Sequence, residues 1–279
     1  MPAKRKFLLA AIQMNSGADW RLNLDRALAR ISEAAAGGAD VVALPENFAV
    51  MGDDHSRAKA AREFEGKIAP ALRAAARENA VILLGGSFPL RNRSSDDPRT
   101  FNASLLWNRE GRRAAVYHKI HLFDVSIGDR TPYQESRHIR PGDRMVTATV
   151  EGVTFGLTVC YDLRFPELYR ALALRGAQVI FVPSAFTLTT GKDHWLPLLQ
   201  ARAIENQVYI AAPAQFGLHE EGRQTYGHSV IVDPWGTVLA QAPEKECVIY
   251  AEFDPEHLAR VRSQIPVLKH RRPDVDGGA

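Results

Sequence analysis

The hydrophobic residues of this chain follow two patterns. Short runs such as "VVAL" and "VIFV" are almost wholly apolar, which is typical of strands buried on both faces of a sheet. Between such runs lie segments in which apolar residues recur every three or four positions, as on one face of a helix. We predict strands at residues 7–14, 40–46, 81–90, 153–160, 177–186, 208–216 and 246–254, and helices at 20–39, 64–80, 165–176 and 194–207, with one more after residue 255.

Two further segments have the form of β-hairpins. Residues 101–123 turn at "NREG", and residues 227–242 turn at "DPWG". Each half of the chain therefore contains strand–helix units followed by a hairpin. Two such halves packed sheet to sheet make an α/β fold, a four-layer α-β-β-α sandwich. Because no stretch is rich enough in Gly, Pro or Ser to act as a linker, we expect a single domain over residues 1–279, with a C-terminal tail from about residue 255.

Composition and charge exclude several classes of protein. Hydrophobic residues make up 46% of the chain and charged residues 24%, as in an ordinary globular protein. The net charge of +3 is mild, and no basic stripe carries interleaved aromatic residues, so we expect no nucleic-acid partner. No run of eighteen apolar residues occurs, so we expect no membrane span.

The N-terminus and the cysteine usage bear on the compartment. The apolar run after "MPAKRK" contains Gln13 and lacks a small-residue cleavage pattern, so we interpret it as a first strand and not as a signal peptide. The two cysteines, Cys160 and Cys247, lie far apart in a chain without an export signal. We therefore expect free thiols and a cytoplasmic protein.

Three chemically capable residues stand at the ends of predicted strands. Glu46 ends "DVVALPE", Lys119 ends "AAVYHK" and Cys160 ends "FGLTVC". Ligands of such sheets bind outside the carboxyl ends of the strands. The pattern therefore predicts that an acid, an ammonium group and a thiol meet at one sheet edge.

These residues suit acyl transfer from an amide. Cys160 would be the nucleophile, and we expect Lys119 and the start of the following helix to lower its pKa. Glu46 would take the thiol proton, return it to the leaving amine and then activate water. Lys119 and the backbone N–H of Tyr161 would hold the oxyanion.

Taken singly, each residue has a plainer interpretation. An isolated cysteine is more often a buried structural residue, and Cys247 fits that role. Glu46 alone could be a solvated turn residue, and Lys119 alone is more often at the surface. Spacing alone therefore leaves a thiol hydrolase as a hypothesis.

The motifs around these residues resemble those of a known family. "LPENF", "HKIHLFD" and "CYDLRFPELYRAL" are similar to the three motifs of the nitrilase superfamily, the carbon–nitrogen hydrolases, and occur in the same order. The resemblance implies a Glu46–Lys119–Cys160 triad on an αββα sandwich, with no metal or organic cofactor. It also implies a second glutamate, Glu135 of "YQES", in the long segment 124–143. That glutamate would orient Lys119 and the substrate amide; the alternative is a surface residue.

Further stretches resemble the amidase branch of that superfamily, which contains deaminated glutathione amidase and ω-amidase. They include "VPSAFTLTTGKDHW", "AAPAQFGLHEEGRQTYGHS" and "HRRPDV". Both of these enzymes hydrolyse an amide of an α-keto acid, so their site needs an anchor for the carboxylate of that acid. Arg164 is our candidate because a guanidinium group matches a carboxylate, although a structural ion pair is equally compatible. Thr189 and Thr190 could add hydroxyl contacts, whereas His194 and His228 suit structural roles better.

The resemblance leads to one hypothesis and several alternatives. We expect a thiol-dependent amidase that releases ammonia from deaminated glutathione, a repair of a transamination side product. The alternatives are an ω-amidase acting on α-ketoglutaramate, an N-carbamoyl amino acid amidohydrolase, and a non-enzymatic scaffold. The resemblance also implies a homo-oligomer, a dimer or higher, with contacts from the helix after the nucleophile and from the C-terminal tail. The apolar side chains of Leu168, Tyr169 and Leu172 suit either an interface or the core.

Overall fold

The computed structural model describes residues 6–92, 96–126 and 133–276. The helices and strands of the first half are β1 (Phe7–Gln13), α1 (Trp20–Ala36), β2 (Val41–Ala43), α2 (Asp54–Glu63), α3 (Ala69–Glu78), β3 (Ile82–Leu84), β4 (Phe88–Leu90), β5 (Phe101–Trp107), β6 (Arg113–His118), β7 (Asp124–Val125) and β8 (Tyr133–Gln134). One π-helical turn, Phe64–Ile68, joins α2 to α3, and a 3-10 turn, Glu135–Arg137, follows β8.

The second half repeats the alternation of strands and helices. Its elements are β9 (Val146–Val150), β10 (Val153–Leu157), α4 (Pro166–Leu174), β11 (Val179–Phe181), α5 (Leu188–Asn206), β12 (Tyr209–Ala212), β13 (Phe216–Leu218), β14 (Gln224–Tyr226), β15 (Val230–Val232), β16 (Val238–Gln241), β17 (Cys247–Phe253), α6 (Pro255–Gln264) and α7 (Pro273–Asp276). Short 3-10 helices span Cys160–Arg164 and Glu220–Gly222.

The strands form two large sheets. In the first sheet the order is β17-β1-β2-β3-β5-β4, with β6 also paired to β5. In the second it is β16-β15-β12-β11-β10-β9. The inner strands β1-β2-β3 and β10-β11-β12 run parallel, which requires crossover helices between them. The last strand, β17, returns to the first sheet and pairs antiparallel with β1 from Phe7↔Phe253 to Gln13↔Cys247.

Alternation along β1 shows how the layers stack. Phe7, Leu9 and Ala11 belong to the apolar core that the first sheet shares with the second sheet and its helices. Ala10 and Ile12 point the other way, into a second core made with α1 and α3. Helix, sheet, sheet and helix therefore follow one another, and the predicted α-β-β-α fold class is confirmed. The assignment of the chain to one domain stays a prediction.

The structure shortens most of the predicted strands. The apolar run 40–46 pairs only over Val41–Ala43, and 153–160 pairs only over Val153–Leu157. The segment 81–90 divides at Gly85 and Gly86 into β3 and β4. Apolar residues continue past the paired region because the chain stays buried where it leaves the sheet. The two hairpins are confirmed as β5–β6 and β15–β16.

Two helices differ from the prediction. Helix α2 was not predicted, because its sequence "DHSRAKAARE" buries only Ala60 and Ala61. Helix α5 begins at Leu188 and not at His194, because the Thr187 side chain caps it by accepting from the Thr190 N–H. Pro197 therefore lies inside the helix and not in its first turn.

The described part of the segment 124–143 is ordered. Strands β7 and β8 form a two-stranded ribbon that leads into the 3-10 turn at Glu135. Residues 127–132 lie outside the described residues. Among the residues that the structure describes, no helix is long and apolar enough to cross a membrane.

Gly86 packs against the loop that carries Glu46, and we expect its replacement to destabilise the folded protein. Its φ is +57°, and a Cβ there would clash with the Pro45 carbonyl and with the Leu44 backbone. Gly86→Ala should therefore lower the free energy of unfolding by about 2–5 kcal/mol, from left-handed strain plus overpacking. Urea denaturation measures this change.

Gly152→Ala is the matched control. Gly152 has a φ of +81°, but a Cβ there meets nothing within 4 Å. This variant carries the left-handed cost alone, about 1–2 kcal/mol. Equal losses of stability in the two variants would show that the backbone contact beneath Glu46 has no effect on stability.

Candidate active site

Cys160 lies in a sharp turn just beyond β10. It is the first residue of the 3-10 helix Cys160–Arg164, and its φ is +48°, a left-handed conformation that is uncommon for a residue other than glycine. Its backbone N–H donates to the Pro183 carbonyl at 3.0 Å. Strained backbone of this kind is concentrated at active sites, where the surrounding structure enforces it.

A buried carboxylate, that of Asp162, holds this turn in place. Its Oδ2 accepts from the Val159 N–H at 2.8 Å and from the Tyr117 hydroxyl at 2.7 Å. Its Oδ1 accepts from the His121 N–H at 3.0 Å and lies 2.7 Å from His121 Nδ1. Asp162 therefore ties the cysteine turn to the segment that follows β6 and contains Lys119.

Glu46 is buried among hydrogen-bond donors. Its Oε1 accepts from Lys119 Nζ at 3.0 Å and from Asn102 Nδ2 at 2.9 Å, and its Oε2 accepts from the Ala185 N–H at 2.8 Å. The Cys160 thiol lines the same cleft and is close enough for the Glu46 charge to raise its pKa. The carboxylate is thus fixed beside the thiol whose proton it would take.

Lys119 lies between two carboxylates. Besides Glu46, its Nζ donates to Glu135 Oε2 at 2.8 Å and to Glu135 Oε1 at 3.1 Å. Glu135 Oε2 accepts a further bond from the Phe123 N–H at 2.7 Å. The glutamate that only the family resemblance indicated therefore contacts the lysine directly.

Asn102, at the start of β5, links the two carboxylates. Its Nδ2 donates to Glu46 Oε1 and, at 3.2 Å, to Glu135 Oε1. Asn102 was not among the site residues predicted from the sequence. A polar side chain at the start of a buried strand, in "FNASLL", was the available signal.

The three ionisable groups influence one another's pKa values. Burial alone would raise the pKa of Glu46, but the Lys119 charge and the hydrogen bond from Lys119 leave it below the usual value. Burial would lower the pKa of Lys119, but the charges of Glu135 and Glu46 raise it. An ionised glutamate beside a protonated lysine is therefore the resting state.

The Cys160 thiol behaves differently from the prediction. Burial raises its pKa above the usual value, and the neighbouring Glu46 carboxylate raises it further. The charge of Lys119 opposes this effect only in part. The expectation of a lowered thiol pKa is therefore wrong, and the thiol keeps its proton until a base removes it.

A cleft of about 740 Å³, including its open mouth, leads to these groups and is lined by Glu46, Lys119, Glu135 and Cys160. Of the other predicted site residues, Tyr161 and Thr190 also line the cleft.

Arg164 and Thr189 are not among the residues that line the cleft. The Arg164 guanidinium lies 3.2 Å from His194 Nδ1, and its Cζ lies 5.1 Å from the centre of the Phe186 ring. Thr189 is exposed in the first turn of α5. The prediction that Arg164 anchors a substrate carboxylate is therefore not supported by its position.

Two arginines that the sequence analysis did not single out do line the cleft. They are Arg57, on α2, and Arg223, between the 3-10 helix Glu220–Gly222 and β14. Arg57 was missed because α2 was not predicted. In residues 6–92, 96–126 and 133–276, no group of three His, Cys, Asp or Glu side chains could hold a metal ion.

Known sequences match this chain over nearly its whole length. The family described as carbon-nitrogen hydrolase matches residues 8–263. The deaminated glutathione amidase of Synechocystis sp. is 44% identical over 269 residues, which are 96% of this chain and 98% of that protein. The omega-amidase of Mus musculus is 37% identical over 269 residues, 96% of each chain.

A solved structure has the same fold. A variant of the amidase from Nesterenkonia sp. AN1, with the acetamide moiety of fluoroacetamide covalently added at the active-site cysteine, has a TM-score of 0.81 and 26% sequence identity. The match covers 98% of this chain and 96% of that one. The chain therefore belongs to the carbon-nitrogen hydrolase family, as the resemblance of its three motifs predicted.

Proposed function

We propose that this protein is a cysteine-dependent amidase whose substrate is deaminated glutathione. The observation that carries the proposal is the position of Cys160 beside Glu46, with Lys119 Nζ between the carboxylates of Glu46 and Glu135. A nucleophile, a base and a fixed cation in one cleft are the groups that acyl transfer from an amide requires.

Acylation follows from this geometry. Glu46 takes the thiol proton as Cys160 Sγ attacks the amide carbon, in keeping with the raised pKa of the thiol. The oxygen of the tetrahedral intermediate is stabilised by Lys119 and by the N–H of Tyr161, which is near the start of its helix and lacks an intrahelical acceptor. Glu46 then passes the proton to the leaving nitrogen, the C–N bond breaks, and a thioester remains on Cys160.

Deacylation reverses the roles of the same groups. Glu46 removes a proton from water, the hydroxyl adds to the thioester carbon, and Lys119 and Tyr161 again hold the oxyanion. The C–S bond breaks, the proton returns to sulfur, and the carboxylic acid is released. Glu135 keeps Lys119 protonated and in position throughout, through its two contacts with Nζ.

Substrate choice rests on the relatives. Those named deaminated glutathione amidase reach 44% identity, and the omega-amidase reaches 37%. Deaminated glutathione carries an α-ketoglutaryl group in amide linkage to cysteinylglycine, so its hydrolysis releases cysteinylglycine. Release of ammonia, which the sequence analysis expected, applies only to α-ketoglutaramate, the substrate of the alternative ω-amidase function.

A cytoplasmic homo-oligomer completes the proposal. The free thiols of Cys160 and Cys247 are compatible with a reducing compartment. Leu168, Tyr169 and Leu172 are buried within the chain and so belong to the core. Leu174, at the end of α4, has 41% of its surface exposed and is the apolar side chain that we propose for an interface.

Release of α-ketoglutarate tests the substrate proposal, because both candidate substrates yield it. We expect kcat/KM for deaminated glutathione to exceed that for α-ketoglutaramate at least tenfold, with the purified wild-type protein. The reverse preference would assign the ω-amidase function. Hydrolysis of N-carbamoyl amino acids alone would overturn both, and a protein inactive on every amide would point to a scaffold.

A further inference from the structure

Two guanidinium groups face the same cleft as the catalytic candidates. Arg57 and Arg223 both line it together with Cys160. Arg57 donates from Nε to the Gly52 carbonyl at 3.1 Å, while Arg223 Nε is buried and has no hydrogen-bond partner among the described residues. A buried donor without an acceptor is costly, so this atom is suited to an acceptor that a ligand brings.

The two arginines influence each other. Burial and the charge of Arg223 lower the pKa of Arg57, whereas Glu135 and Asp54 act in the opposite direction. Two like charges in one cleft are unfavourable unless an anion lies close to both. A negatively charged group of a ligand would therefore be stabilised beside this pair of arginines.

Arg223 lies in the connection between β13 and β14. It belongs to the β13–β14 hairpin, which buried His219 fastens by contacts of 2.9 Å to the Ser16 carbonyl and 2.7 Å to Thr225 Oγ1. The Arg223 guanidinium also lies over the Tyr133 ring, with its Cζ 5.8 Å from the ring centre. A guanidinium group already in position binds a carboxylate with little loss of side-chain entropy.

The charges of the cleft indicate how many carboxylates it takes. Lys119 is already paired with Glu46 and Glu135, the two carboxylates that line the cleft. Lys119, Arg57 and Arg223 together therefore leave an excess of one positive charge there. One carboxylate group of a ligand neutralises this excess among the lining side chains.

We propose that Arg57 and Arg223 form a subsite for the carboxylate on the acyl side of the substrate, so that the enzyme selects amides whose acyl chain ends in a carboxylate. This rests on the amidase function proposed above. In an α-ketoglutaryl group the carboxylate carbon is four bonds from the amide carbon, and it stays on the enzyme through the thioester stage. The carboxylate of cysteinylglycine leaves with the amine and has no guanidinium partner in this subsite.

Matched substrates and variants test the subsite. Glutaramate and pentanamide share a five-carbon acyl chain and differ in the terminal carboxylate. In Arg223→Met and in Arg57→Met we expect kcat/KM for glutaramate to fall on the order of 100-fold, mainly through KM. Turnover of pentanamide should change less than threefold. Arg112→Met, at the surface, is the control arginine variant, and Arg164→Met tests the anchor that the sequence favoured.

A second readout does not depend on turnover. α-Ketoglutarate, a product, should protect Cys160 from iodoacetamide in the wild type, and about 100-fold more of it should be needed in the Arg57 and Arg223 variants. Arginine-dependent protection without any amide hydrolysis would support the subsite while the proposed function fails. Equal protection in all variants, equal losses on both amides, or a loss confined to Arg164→Met would overturn the subsite.

Discussion

Cys160→Ala is expected to lose at least about 10⁴-fold in kcat/KM on the best amide substrate, because no other group in the cleft can form the thioester. The substitution removes a single sulfur atom, so the fold should be kept at a small cost in stability. Steady-state release of α-ketoglutarate measures the loss, and circular dichroism checks the fold.

Cys247→Ala is the matched control for this loss. Cys247 lies at the start of β17 and is only partly buried. Its removal takes away the other thiol and should leave kcat/KM within about twofold of the wild type. If Cys160→Ala kept a hundredth of the wild-type activity, covalent catalysis by Cys160 would have to be abandoned.

Glu46→Gln should lower kcat/KM by about 10²- to 10⁴-fold, since it removes the base that both half-reactions need. The amide keeps the size of the carboxylate but offers only one oxygen to Lys119, Asn102 and the Ala185 N–H. Glu78→Gln, which removes a surface carboxylate with 67% of its side chain exposed, controls for the change in net charge.

The Glu46→Gln variant also tests the pKa of the Cys160 thiol, by a measurement that does not depend on turnover. The Glu46 charge raises the pKa of Cys160, so its removal should lower that pKa. The pH dependence of iodoacetamide alkylation at Cys160 measures it in both proteins. An unchanged or raised thiol pKa in Glu46→Gln would contradict the contact between the two side chains.

The wild-type pH profile follows from the direction of the Glu46 shift. The reactive form needs an ionised Glu46, whose pKa lies below 4.5 in the folded protein. Activity should therefore persist as pH falls through the neutral range and disappear only below about pH 4.5, as Glu46 takes up a proton. An acid limb with its midpoint near pH 6 would show that another group is the base.

The sequence predicted the catalytic groups better than the boundaries of the elements around them. Glu46, Lys119 and Cys160 were predicted to meet because each ends a predicted strand. They do meet, but the expectation of one sheet edge was wrong: Glu46 and Lys119 follow β2 and β6 of the first sheet, whereas Cys160 follows β10 of the second. The predicted strands were too long at these same ends. Apolar residues there bury the turns that carry the side chains, and hydropathy does not distinguish a buried turn from a buried strand.

Residues that depend on longer-range contacts escaped the sequence analysis. Arg57 lies on a mostly polar helix. Arg223 belongs to the β13–β14 hairpin, in which His219 contacts the Ser16 carbonyl from a distant part of the chain. Arg164 was a candidate because its guanidinium group matches a carboxylate, but the chemistry of a side chain does not determine which way it points. The rise in the Cys160 pKa likewise depends on burial and on Glu46, which local sequence does not show.

The pairing of β17 with β1 has a consequence for how the protein is made. β1 leaves the ribosome before the other described strands, yet its seven residues pair with Cys247–Phe253 of β17, which leaves after them. Until then one edge of the first sheet presents unpaired backbone groups, the kind of edge that joins strands from other chains. Folding during translation cannot close this edge, because β17 has not yet been made. The nascent chain therefore carries this open edge, and its risk of aggregation, until β17 has emerged.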